Sequence, residues 1–277
     1  MTTFSGVPDR ELRDGRRIPQ LGFGVYKIPE EEAASAVLAA IESGYRHVDT
    51  AAFYDNEVGV GEGIRRSGLP REEIFITTKA WWTDNGYDST LRAFDASLAR
   101  LGLDSVDLYM IHWPAPASDR YVDSWRALEA LRNEGRATSI GVANFHVHHL
   151  ERLFRETGTV PVVNQVELHP WLPQRELRRF HVEHGIATQS WSPLARGLVL
   201  EEPVLRGVAQ KYGVSPAQVV IRWQLDSGNL AIPKSASVQR MRENLDVFGF
   251  RLDGSDMSAI ASLENGRRTG VDPDDRG

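Results

Sequence analysis

Asp49, Lys79 and His112 each stand at the end of a short run of β-branched and aromatic residues, and Tyr54 follows Asp49 by five positions. Together these four side chains could move a proton. A buried lysine is costly unless paired, and Asp49 on a neighbouring strand is the partner at hand. A tyrosine beside that ammonium would have its phenolate favoured and its pKa lowered from the usual ~10. Tyr54 then becomes a proton donor near neutral pH, and His112 could hold a substrate oxygen against the phenol. Singly, an Asp–Lys pair or a loop tyrosine also has a purely structural reading, because ion pairs that only hold a fold perturb pKa values too. All four at one rim favour chemistry.

Such residues need elements to position them. Runs of strand character recur at 46–50, 74–79, 106–112, 139–143, 162–167, 187–191 and 230–233, with a weaker one at 20–26. Helical periodicity fills 31–43, 91–101, 121–133, 148–156, 175–184, 203–212 and 216–227. In the first of these, Ala34, Val37, Leu38 and Ile41 share a face and Gly44 supplies the stop. Strands alternating with helices imply a parallel sheet, and nearly continuous apolar strands imply burial on both faces. Units recurring about every 30 residues favour a closed barrel over an open sheet. The expected fold is α/β: a single (β/α)8 TIM barrel domain over 1–277, with an N-terminal β-hairpin cap in 1–18 and a short C-terminal tail at 264–277. Asp14-Gly15 reads as the type I′ turn of that hairpin, which would cap the bottom of the barrel. The tail, with Asp272, Asp274 and Asp275, reads as a solvated loop or frayed end. In a barrel the chemistry sits where the strands end at their C-terminal side. That rim also receives Gln165 and Glu167, Trp191 and Ser192, and Lys234 and Ser235.

The chain has 277 residues, enough for a barrel, and no cysteine, which excludes disulfides, thiolate metal sites and cysteine nucleophiles and suits a reducing cytoplasm. Residues 1–15 hold no signal-like apolar run, and no stretch approaches the ~18 apolar residues that span a bilayer. The expectation is a cytoplasmic enzyme with no membrane partner. A net charge of −6 argues against a nucleic-acid partner. The glycines from Gly59 to Gly63 lack dinucleotide-loop spacing and read as helix–barrel packing. His146, His148 and His149, and likewise His181 and His184, read as surface histidines, with no acidic pattern beside them to complete a metal site.

Several stretches resemble the aldo-keto reductase family. They include Gly44-Tyr45-Arg46-His47-Val48-Asp49-Thr50-Ala51 with Tyr54 and Asn56-Glu57, Thr77-Thr78-Lys79-Ala80-Trp81, and His112-Trp113-Pro114. Gly141-Val142-Ala143-Asn144-Phe145, Asn164-Gln165-Val166-Glu167-Leu168-His169-Pro170 and Ile232-Pro233-Lys234-Ser235 continue the match, which spans roughly residues 18–263. The chain looks most like the bacterial branch that includes 2,5-diketo-D-gluconate reductases. The resemblance implies a small-molecule carbonyl substrate, NADPH in preference to NADH, no metal, and a monomer. It implies a catalytic tetrad of Asp49, Tyr54, Lys79 and His112. Asn144 and Gln165 would hold the nicotinamide carboxamide, Trp191 would stack on its ring, and Ser192, Leu194, Arg196 and Gly197 would line the pyrophosphate. Lys234, Ser235 and Arg240 would surround the 2′-phosphate, with Glu243 and Asn244 near the adenine. Tyr26, Trp81, Trp82 and Trp113 would face substrate, in a pocket walled by the loops around Tyr26, 81–87 and 113–118 and by the tail, and relatively open because the tail after Leu263 is short. Ala143 departs from the serine common in relatives, and Ala80 from a larger apolar residue. Two other readings are a non-catalytic NADPH-binding sensor and a Schiff-base aldolase with Lys79 as nucleophile, although a paired lysine stays charged and non-nucleophilic.

Overall fold

The computed structural model describes residues 6–276; residues 1–5 of the expected cap and residue 277 of the tail lie outside the described residues. An antiparallel ribbon comes first, β1 (Asp9–Glu11) and β2 (Arg17–Pro19), with Asp9 paired to Pro19 and Glu11 to Arg17. Eight parallel strands follow in sequence order round one sheet: β3 (Phe23–Gly24), β4 (His47–Asp49), β5 (Phe75–Ala80), β6 (Val106–Ile111), β7 (Ala137–Ala143), β8 (Val163–Glu167), β9 (Ala187–Trp191) and β10 (Leu230–Ala231). The ends of that order meet. The Gly22 amide donates to Ala231 O (2.9 Å) and the Ala231 amide to Gln20 O (3.0 Å), which closes the sheet into a barrel.

Helices α1 (Glu30–Ser43), α2 (Glu57–Arg66), α3 (Tyr87–Leu101), α4 (Tyr121–Asn133), α5 (Val147–Thr157) and α6 (Arg175–His184) return the chain after successive strands. Two helices follow β9, α7 (Pro203–Tyr212) and α8 (Pro216–Asp226), and two follow β10, α9 (Val238–Leu245) and α10 (Gly254–Ala261). The all-buried FITTKA sequence of β5 shows why the sheet must be covered on both faces. Inside the barrel, Phe75, Leu108, Met110, Val163, Ala187 and Leu230 form an apolar cluster with Leu12 and Ile18 of the ribbon. The hairpin therefore plugs the N-terminal end, as expected, and leaves the other end to polar groups.

Three expectations need correction. The hairpin turn is not type I′, which would put both Asp14 and Gly15 at positive φ. Only Gly15 is left-handed (φ 80°), in a three-residue connection where Leu12 N–H donates to Arg16 O (2.8 Å). Asp14 is not left-handed, and its carboxylate accepts from Arg16 N (3.1 Å) and Ser139 Oγ (2.7 Å). The glycines of α2 serve helix–helix rather than helix–barrel packing. A Cβ at Gly61 would lie 2.1 Å from Leu101 O, and at Gly59 and Gly63 2.7 Å from carbonyls of Glu30 and Ala34 in α1. The tail is not frayed, although residues such as Asn265, Arg267 and Asp274 stay exposed. Asn265 and Gly266 amides donate to Trp171 O (3.1 and 3.0 Å), and Thr269 and Gly270 amides to the buried Glu167 (2.5 and 3.1 Å). A carboxylate at the end of β8 thus draws the tail back over the rim before it ends in a 3-10 turn, Pro273–Asp275.

Candidate active site

β4 ends on Asp49, Lys79 is the last residue but one of β5, and His112 follows β6 directly. Tyr54 closes a 3-10 turn (Ala52–Tyr54) after β4. The buried Asn56 holds that loop: its Nδ2 donates to Val25 O and Ile28 O (3.0 Å each), and its Oδ1 accepts from Thr50 Oγ1 (2.9 Å). The Lys79 ammonium donates to Asp49 Oδ1 (2.6 Å) and Thr50 O (2.8 Å), with both charged side chains almost fully buried. Asp49 Oδ2 accepts from Gln165 Nε2 (2.7 Å), which also donates to Gln189 Oε1 (2.8 Å). Lys79 Nζ lies 5.1 Å from the centre of the Tyr54 ring, and that ring meets His112 edge-on at 5.6 Å.

Burial raises the Asp49 carboxyl and lowers the Lys79 ammonium, and each opposes the shift of the other. The Tyr54 phenol corrects the sequence expectation of a lowered pKa. Burial first, then the Asp49 carboxylate and Tyr26, push it well above its ordinary range, so it stays protonated. Burial, with Lys79 and Arg276 nearby, holds His112 well below the ordinary histidine range, as a neutral imidazole. Its Nδ1 is buried without a hydrogen-bond partner among the described residues.

A cavity of about 500 Å³ opens over this group. Asp49, Tyr54 and His112 line it, as do Asn144, Gln165, Trp191, Ser192, Leu194, Arg196, Gly197 and Lys234, and Tyr26, Trp81 and Trp113. Lys79 lies behind Asp49 and does not reach it. Of the other expected residues, Trp82 is not among the lining side chains, and Ser235, Arg240, Glu243 and Asn244 lie beyond, on the β10–α9 turn and α9. Asn144, itself left-handed (φ 63°), donates to His112 O (2.9 Å) and accepts from Trp191 Nε1 (2.8 Å), so it ties two walls together. After β9 the backbone is left-handed at Ser192, Ala195, Arg196 and Gly197. Left-handed turns of this kind point successive amides into anion-binding concavities. Lys234 and Arg240 are exposed cations with no carboxylate in ion-pair distance among the described residues. The first turn of α9 between them is capped by Ser237, whose Oγ accepts from Arg240 N (3.5 Å).

The tail forms part of the wall, as the sequence suggested, through Gly270, Val271 and Arg276; sequence reasoning missed Phe53, which also lines the cavity and stacks on Trp81 (3.7 Å). The pocket is thus walled on one side by the tail. The histidines are a further correction. His181 is fully buried, bonded to Asn164 Nδ2 (3.0 Å) and Thr188 Oγ1 (2.8 Å). His149 is also buried, and the tail supplies the acids absent nearby in sequence. His146 Nε2 meets Asp272 at 3.0 Å, and His148 and His149 meet Asp274 at 3.2 and 3.3 Å. The Nδ1 of His149 accepts from His146 N (3.1 Å), which leaves the proton of the neutral ring on Nε2; that atom lies 3.3 Å from Asp274 but makes no hydrogen bond among the described residues. A metal held on Nε2 would require Nδ1 to donate, whereas here it accepts.

Residues 20–265 match the aldo/keto reductase family. An aldo-keto reductase of Mycolicibacterium smegmatis is 54% identical over 266 residues, 96% of this chain and 97% of that one. The methylglyoxal reductase DkgA of Escherichia coli is 50% identical over 269 residues, again 96% and 97% of the two chains. Among solved structures, a mutant of Gox0644 in complex with NADPH superimposes with a TM-score of 0.94 at 49% identity, covering 98% of this chain and 99% of that one. With the family matched across nearly the whole barrel, and half the residues shared with relatives of the same length, the chain belongs to the aldo/keto reductase family.

Proposed function

We propose that this protein reduces the carbonyl of small aldehydes, ketones or keto-sugar acids with NADPH, using Tyr54 as the proton donor. The observation that carries the reading is the Tyr54 phenol and the His112 imidazole side by side on one cavity, backed by the buried Asp49–Lys79 pair. NADPH, when bound, supplies the hydride for the carbonyl carbon. His112 orients the carbonyl oxygen, and Tyr54 gives it a proton. The Lys79 ammonium then faces the phenolate left behind and stabilises it. Ser192, Leu194, Arg196 and Gly197 suit the pyrophosphate because their loop is left-handed and its walls are fixed. Lys234, Ser235 and Arg240, two of them unpaired cations, suit a 2′-phosphate, which favours NADPH over NADH. Asn144 and Gln165 suit the carboxamide, Trp191 the nicotinamide ring, and Glu243 and Asn244 the adenine. The same reading has the enzyme working as a monomer in a reducing cytoplasm, which a cysteine-free chain suits.

The aldolase reading is disfavoured because Lys79 is fully buried, holds Asp49 and Thr50, and does not line the cavity. The deciding experiment is Tyr54→Phe, assayed with NADPH and a reactive aldehyde. The expected loss in kcat is about 10²–10⁴-fold, with NADPH affinity by fluorescence titration nearly unchanged. Retained turnover would remove Tyr54 from the reaction, and a wild-type protein that binds NADPH but never oxidises it would favour the sensor.

A further inference from the structure

We propose that Arg276 is a specificity-determining residue that selects substrates carrying a carboxylate, or a similar anion, a few bonds from the reacting carbonyl. The proposal rests on the carbonyl-reductase reading above and adds the class of substrate that reading leaves open.

Arg276 reaches the cavity from the far end of the tail. Its guanidinium carbon lies 4.9 Å from the centre of the Trp81 ring and 5.4 Å from that of Trp113, so the cation is cradled by two indoles. Trp81 in turn meets His112 edge-on at 5.1 Å, which puts the cradle beside the reacting centre. Among the described residues no acid neutralises the guanidinium. Asp272 is engaged by His146 (3.0 Å) and Arg268 (3.1 Å), and Asp274 by His148 and His149. No carboxylate of the described residues lies in ion-pair distance of Arg276, and its buried Nε has no hydrogen-bond partner among them. Stacking on indole faces steadies a guanidinium yet leaves its in-plane N–H groups free to donate, and their fork fits a carboxylate. The other acid on the cavity, Asp49, is cancelled by Lys79, so nothing repels an incoming anion there.

The fork is also held in place before substrate arrives. Glu167 pins Thr269 and Gly270, and the imidazole–carboxylate contacts at Asp272 and Asp274 pin the segment just before Arg276. A cation fixed in advance loses little freedom on binding, which is what turns a charge into selectivity.

The test compares 4-oxobutanoate and 5-oxopentanoate with their methyl esters, all with NADPH, in the wild-type chain, Arg276→Met and Arg276→Lys. Methionine keeps much of the length and removes the charge. The expected result is that the acid-to-ester ratio of kcat/KM falls at least tenfold in Arg276→Met, mainly through KM for the acids, and recovers in part in Arg276→Lys. Ratios within twofold of each other in all three proteins would overturn the proposal and leave Arg276 a packing residue. If the wild-type chain binds NADPH yet reduces neither acids nor esters, the reductase reading itself fails, and the proposal with it.

Discussion

Replacing Glu167 by glutamine should release the C-terminal segment from the barrel while leaving the barrel intact. The carboxylate is almost wholly buried and accepts from the Thr269 amide (2.5 Å), Thr269 Oγ (2.6 Å), the Gly270 amide (3.1 Å) and His169 Nε2 (3.0 Å). Burial alone would raise its pKa, but the bonds from His169 and Thr269 outweigh that and hold it below the ordinary carboxylate value. A hydrogen bond to a charged acceptor contributes about 1.5–3 kcal/mol against about 1 kcal/mol for a neutral pair. Glutamine keeps the shape, removes the charge from three tail bonds and turns an N–H toward one of the donors. A cost of about 2–3 kcal/mol follows, or a roughly 30- to 150-fold larger opening constant for the tail. Hydrogen exchange of the amides between residues 266 and 276, compared with those of β5 and β6, reads this directly. Because the folded-state pKa is depressed, the wild-type contribution is complete above the unfolded carboxylate value and is lost as pH falls through the folded one. Wild-type tail exchange should therefore approach that of the variant only in acid. Unchanged tail exchange at neutral pH, or an equal rise throughout the barrel strands, would refute the anchoring argument.

Two further outcomes are expected. Gly61→Ala would place a Cβ 2.1 Å from Leu101 O and should lower stability by several kcal/mol, whereas Gly207→Ala in α7 meets nothing within 4 Å and should raise it by about 0.5–1 kcal/mol; thermal denaturation of the two variants checks the contrast. His181 is buried neutral, its pKa lowered to about 3 by burial and by Arg178 and His184, so the unfolded chain takes up a proton below about 6.5 that the folded chain refuses. Acid should therefore cost the wild type about 1.4 kcal/mol per pH unit at this residue below that point, and His181→Gln should show a shallower fall in stability between pH 6.5 and 5. An identical slope would show that another group sets it.

The barrel was legible because its signal repeats: apolar runs of strand length alternate with helical stripes, and each unit supports the reading of the next. The rim residues were legible for the same reason, since a strand end is a place in the sequence. Short strands were less so, and β3 and β10, each of two residues, form their bonds largely through flanking backbone. α10 escaped notice although Asp253 and Asp256 spell a capping box before it. The polarity of the tail did reflect its exposure, but its anchoring was hidden. Its aspartates face histidines more than a hundred positions away, and Glu167 anchors it at the end of a strand; neither partner is visible from local composition.

The phenol of Tyr54 was misjudged in a more instructive way. From sequence one counts the ammonium of Lys79 and expects an acidic tyrosine. In the folded chain that ammonium is 2.6 Å from Asp49, so the pair behind the ring is nearly neutral, while burial and the carboxylate both favour the protonated phenol. Whatever stabilises the phenolate acidifies the phenol equally, so the Lys79 ammonium, 5.1 Å from the ring, favours the phenolate only by what the Asp49 carboxylate leaves uncancelled, and burial outweighs that remainder. Asp49→Asn separates the two effects. Thr50 O and Glu57 still favour the Lys79 ammonium, and the asparagine oxygen can accept from it, so a positive charge is left uncompensated. Tyr54 should then titrate at lower pH than in the wild type, by about one unit or more for a charge buried this close. Ultraviolet difference titration of Asp49→Asn against the double variant that adds Tyr54→Phe isolates the signal of this one phenol among the seven tyrosines of the chain. A Tyr54 pKa that stays put or rises would refute this account, either because desolvation sets the acidity or because the buried Lys79 gives up its proton once Asp49 is gone.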